Sequence, residues 1–141
     1  MYNPSREQVR DLFFAAWRKY GAGEPLAGME AIAVDVTLGH PEYHAMLGQP
    51  GQYRDKDYTD ESNPFLHMSL HMALEEQLSI DQPPGIASKL KQIIEKKGGD
   101  RHEAFHEAIE CLAETLWRSQ RDSAPPDTAI YLDCLERRAW Q

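Results

Sequence analysis

Asn63-Pro64-Phe65-Leu66-His67-Met68-Ser69-Leu70-His71-Met72-Ala73-Leu74-Glu75-Glu76-Gln77-Leu78-Ser79 is the stretch whose reading decides the fold. Asparagine before proline supplies a helix cap and a first-turn residue whose missing N–H costs nothing there. Leu66, Leu70, Leu74 and Leu78 then recur every fourth residue as one ridge, and His67, His71 and Glu75 form the ridge beside it. Residues four apart stack on one face of an α-helix, whereas a strand would alternate its faces every second residue. The pattern predicts a helix from about 63 to 79, with two imidazoles at the edge of its buried face. Asp81-Gln82-Pro83-Pro84-Gly85 then forces a turn.

The same punctuation recurs on both sides. Upstream, Asn3-Pro4-Ser5 with Gln8 fits a capping box, and Val9, Leu12, Phe13, Ala16, Trp17 and Tyr20 mark a helical face that Gly21 to Gly23 stop. A second helix is expected from about Leu26 to Leu38, with Met29, Ile32, Ala33 and Val36 inward. Gly39 and Pro41 break it, and Pro41 can open a short helix carrying Tyr43, His44 and Leu47. Residues 48 to 62 read as a polar loop. Downstream, Ile86, Leu90, Ile93 and Ile94 define an amphipathic helix ending at Gly98-Gly99. Asp100 with Glu103 starts a long helix through Trp117 or beyond, and Pro125-Pro126-Asp127 separates it from a last one with Ile130, Tyr131, Cys134 and Leu135. No stretch alternates with period two. The expected fold is an all-α, single-domain helical bundle over 1–141, with four longer helices and one or two short ones.

All six histidines fall into pairs four residues apart: His40 with His44, His67 with His71, and His102 with His106. Two imidazoles at that spacing can reach one metal ion. The expected ligands are His40, His44, His67, His71, His106 and Glu110, with His67 and His71 on one helix meeting His106 and Glu110 on another. His44, with His40 beside it, would close the site next to the 48–62 loop. His40 before Pro41 also reads as a simple helix cap. His102 is left out because it lies in the first turn of its helix, where the macrodipole disfavours a cation. A mixed histidine–carboxylate shell suits zinc, iron or manganese and is the donor set of catalytic sites. Metal-assisted hydrolysis, with Glu75 or Glu42 as base, is the chemistry it would support.

Other motifs carry less. Glu103-x-x-His106 is half of a di-iron signature without its second half. His102-Glu103-Ala104-Phe105-His106 matches HExxH, but no third ligand motif follows it and Glu103 already serves the capping box.

Composition narrows the alternatives. The chain has 141 residues, 15 basic against 23 acidic, and a formal charge of −8, so a nucleic-acid or anionic-membrane surface is not expected. Residues 1–6 lack the apolar core of a signal peptide, and no apolar run is long enough to span a bilayer. Cys111 and Cys134 read as buried, reduced thiols of a cytoplasmic protein, although a bond between them is open. The contrasting reading is a non-enzymatic interaction module or homodimer, with Trp17, Trp117, Trp140 and the Tyr53/Tyr58 loop as partner surfaces and the histidines structural.

Five strings occur in order along nearly the whole chain: Asn3-Pro4-Ser5-Arg6, His40-Pro41-Glu42-Tyr43-His44, Asn63-Pro64-Phe65-Leu66-His67, Ser79-Ile80-Asp81-Gln82-Pro83-Pro84-Gly85 and Glu110-Cys111-Leu112. On them the chain resembles the bacterial family named domain of unknown function 1841. That resemblance implies a small bacterial protein. It carries no activity and no catalytic residue, so the metal argument rests on the residues alone.

Overall fold

A computed structural model describes residues 6–59 and 62–140. The cap expected at Asn3-Pro4-Ser5 lies outside the described residues. Among the described residues every regular element is helical: α1 (Arg6–Gly21), α2 (Met29–Leu38), a 3-10 turn (Pro41–Tyr43), α3 (His44–Leu47), α4 (Pro50–Tyr53), α5 (Pro64–Ile80), α6 (Ile86–Lys96), α7 (Arg101–Asp122) and α8 (Thr128–Trp140). The all-α expectation is borne out. Six of these helices have ten residues or more, since α2, α6 and α8, at 10, 11 and 13 residues, are full elements beside α1, α5 and α7.

The starts are where the caps put them. Asn63 Oδ1 accepts from the N–H of Phe65 at 3.0 Å and of Leu66 at 3.2 Å, and Asp100 Oδ1 accepts from Glu103 at 3.0 Å. Asp127 does the same for Ala129 and Ile130. Each satisfies N–H groups that have no partner inside their own helix.

Contacts divide the chain into two compact units, 1–72 and 73–141. In the first, α1 packs on α2, and the core gathers Phe13, Phe14, Ala16, Ala33, Val34, Val36, Leu47, Phe65 and Met68. The buried side of α2 differs from expectation: Met29 and Ile32 stand exposed, while Ala33, Val34, Val36 and Thr37 are buried. The helix is apolar on more than one side, and its smaller residues allow the closer approach to α1. Arg10 is a buried charge in this unit. Its guanidinium donates to the carbonyls of Arg54 (2.8 Å) and Lys56 (2.7 Å) and lies 4.7 Å from the Phe65 ring centroid, fastening the 54–59 segment to α1. The region read as a loop therefore contains α4 and a clamped strap. Trp17, Tyr53 and Tyr58 pack against the core, leaving Trp117 and Trp140 as the exposed members of the aromatic set named above.

In the second unit α6, α7 and α8 pack on one another, burying Ile86, Leu90, Ile93, Phe105, Ala108, Leu112, Tyr131 and Leu135. Tyr131 donates to Gln77 Oε1 at 2.7 Å. Cys111 of α7 and Cys134 of α8 are joined as a disulfide, which corrects the expectation of reduced thiols. No signal in the sequence distinguished a bonded from a reduced pair, because the spacing of 23 residues is read only once two helices are known to pack. No described helix is long and apolar enough to cross a membrane.

Candidate metal centre

Within the first unit the end of α2 and the first half of α5 bring three imidazoles together. The ridge that α5 buries is Phe65, Met68, His71 and Leu74, which shares only Leu74 with the four-leucine ridge: Leu66 is 37% exposed and His71 only 5%. That rotation carries His71 into the interior and His67 to its margin. His40 follows α2 and is 3% exposed.

The ring nitrogens converge. His40 Nε2 lies 3.1 Å from His67 Nε2, and His71 Nε2 lies 3.2 Å from the same atom. The rings meet edge to face, at 81° for His40 and His67 and 77° for His67 and His71, so the planes do not stack. The outer side of His40 is fixed by Nδ1, which donates to the Val36 carbonyl at 2.8 Å. A carbonyl can only accept, so that bond holds the proton on Nδ1 and leaves Nε2 bare when the ring is neutral.

A single proton on His67 Nε2 can be given to only one of the two neighbouring ring nitrogens at a time, whereas a cation can take a lone pair from each ring. The spacing suits it: tetrahedral Zn–N bonds of about 2.0–2.1 Å put nitrogens ~3.3–3.4 Å apart, and an octahedral shell of the same bond length puts neighbours ~2.8–3.0 Å apart. The two observed edges fall between those values. The donors fit a transition metal.

Tyr43 adjoins this set. Its ring is nearly parallel to that of His40, 8° apart with centroids at 5.5 Å, and meets His67 edge-on at 6.4 Å. Burial, with Glu42 as a lesser cause, pushes its phenol above the usual tyrosine range. Reasoning from histidine spacing passed over Tyr43. The available signal was its place three residues after His40 in a proline-started turn.

The remaining expected ligands are engaged elsewhere. His44 Nε2 donates to the Thr37 carbonyl at 2.7 Å, and its ring packs on Trp17 at 4.5 Å. It braces the 40–47 segment against α2 and α1. In the second unit His106 is half-buried on α7, its ring 4.2 Å from that of His102. Glu110 is ion-paired to Arg138 at 2.8 Å with its side chain 64% exposed. Glu75 pairs with Arg101 at 3.0 Å, and Glu42 is exposed.

Among known proteins, no curated protein and no solved structure matches. One family model does, that of domain of unknown function (DUF1841), over residues 5–137. With nearly its whole length matched, the chain belongs to that family.

Proposed function

We propose that this protein binds one divalent transition-metal ion through histidine side chains of its first unit, with His40, His67 and His71 as ligands. The observation that carries the reading is the grouping of three imidazoles, with His67 Nε2 3.1 Å from His40 Nε2 and 3.2 Å from His71 Nε2 and one ligand atom of each within 4.8 Å of the others. An imidazole-only set favours zinc or iron over manganese, which prefers oxygen donors. It also moves the chemistry away from the mixed shell expected from sequence, since Glu110 is committed to Arg138. Such an ion supplies Lewis acidity, and metal-assisted hydrolysis needs one coordination position open to water. Three histidines leave that position free.

Zinc titration of the chelator-stripped full chain by calorimetry tests this. Wild type is expected to bind one equivalent, and His67→Ala to bind at least about a hundredfold more weakly, the loss of roughly 2.7 kcal/mol of ligand energy. Glu110→Ala is expected to bind as wild type does. A His67→Ala protein with unchanged affinity contradicts the ligand set.

A further inference from the structure

The turn that delivers His40 also delivers the aromatic ring behind it. Pro41 opens the 3-10 turn, whose fixed φ suits its first position, and the N–H of Tyr43 closes it by donating to the His40 carbonyl at 3.0 Å. Residues three apart eclipse in a 3-10 turn. His40 and Tyr43 are therefore stacked by local geometry, and their rings lie 8° from parallel. Val36 holds one edge of the imidazole through Nδ1, and Tyr43 covers one face.

We propose that the His40-Pro41-Glu42-Tyr43 turn is a ligand clamp in which Tyr43 is a positioning residue, its ring setting the plane of the His40 imidazole and so the direction of the Nε2 lone pair. This rests on the metal reading given above. The physical reason is that rotation of His40 about its last side-chain bond is opposed on two sides: one side would lose the Val36 bond, the other would collide with the phenol face. An imidazole that gives electron density to a cation becomes electron-poor, and the negative face of an aromatic ring, phenol or phenyl, stacks on it more favourably. The edge contact with His67 extends the same wall to a second ligand. The hydroxyl has no part in this argument, and that gives the proposal its sharpest consequence: phenylalanine should do as well as tyrosine.

The test uses cobalt(II) as a spectroscopic probe on the full chain, with affinity read by chelator competition and geometry by the visible d–d bands. Tyr43→Phe is expected to keep both. Tyr43→Ala and Tyr43→Leu are expected to weaken cobalt binding by about 10- to 100-fold, as loss of an orienting partner does, and to shift the bands. Far-UV circular dichroism checks folding, and Leu, which preserves apolar bulk, carries the test where Ala unfolds. Unchanged affinity and bands in Leu or Ala overturn the positioning role, and so does a loss in Phe. Wild type that binds no cobalt removes the metal reading and this proposal with it, whereas wild-type binding with indifferent variants removes only the role of Tyr43.

Discussion

His40 and His44 lie one helical turn apart and have different partners, which decides what each can do. His40 gives its Nδ1 proton to Val36 and turns Nε2 toward His67; His44 spends Nε2 on the Thr37 carbonyl and its ring on Trp17. Tyr131 shows how burial sets chemistry at the same scale. It is 3% exposed, and desolvation pushes its phenol far above the usual tyrosine range. The folded state thus holds this proton more tightly than the unfolded state does. Its contribution to stability is complete below the unfolded value of about pH 10 and is lost as pH rises beyond it toward the higher folded value. Tyr43 and Tyr58 are shifted in the same direction, so the variant Tyr131→Phe is needed to isolate one group. Its urea midpoint is expected to fall less steeply above pH 10 than that of wild type. At neutral pH the variant is expected to lose about 1 kcal/mol with the hydrogen bond to Gln77.

At the scale of elements, Arg10 ties α1 to the strap that follows α4. Its guanidinium is buried, and one of its terminal nitrogens donates to the carbonyls of Arg54 and Lys56, more than forty residues away. Arg10→Met keeps apolar bulk and abandons those carbonyls. It is expected to lower stability by about 2–4 kcal/mol, seen as a lower urea midpoint, because each charge-assisted bond contributes roughly 1.5–3 kcal/mol. A variant within 0.5 kcal/mol of wild type, the range of ordinary surface substitutions, would refute the strap. The elements themselves were largely legible. Caps at Asn63, Asp100 and Asp127 act within three residues, so the local string contains the whole mechanism. Face assignments were less so. On α2 both Ile32 and Val34 are apolar, and only the packing against α1 selects which is buried. On α5 the leucine ridge and the Phe65–Met68–His71 ridge both have helical spacing, and the second is buried together with Leu74 alone of the leucines. The four-residue α4 has too little periodicity to read. The candidate site divides the same way: spacing shows which histidines share a face, but which nitrogen points where depends on carbonyls such as Val36 and Thr37.

Across the whole molecule, the two compact units are held by different means. The first relies on its apolar core and the Arg10 clamp. The second adds a covalent bond between α7 and α8, at Cys111 and Cys134. Closing a loop of 23 residues restricts the unfolded chain by about 3 kcal/mol. Thiol titration in denaturant without reductant is accordingly expected to find no free thiol. Added reductant should lower the melting temperature by roughly 10 °C, in line with ~2–4 °C per kcal/mol for domains near 150 residues. Two titratable thiols in protein never exposed to reductant would contradict the bond. The net charge of −8 adds repulsion that a bound dication would offset in part.

The central claim is that His40, and not its neighbour His44, joins His67 and His71 around a metal ion. Elemental analysis of untagged protein purified without chelator, run in parallel on wild type, His40→Ala and His44→Ala, tests it most directly. The account predicts about one equivalent of zinc or iron in wild type and in His44→Ala, and little in His40→Ala. Metal retained in His40→Ala and lost in His44→Ala would contradict it, as would wild type that carries no metal and takes none up on addition.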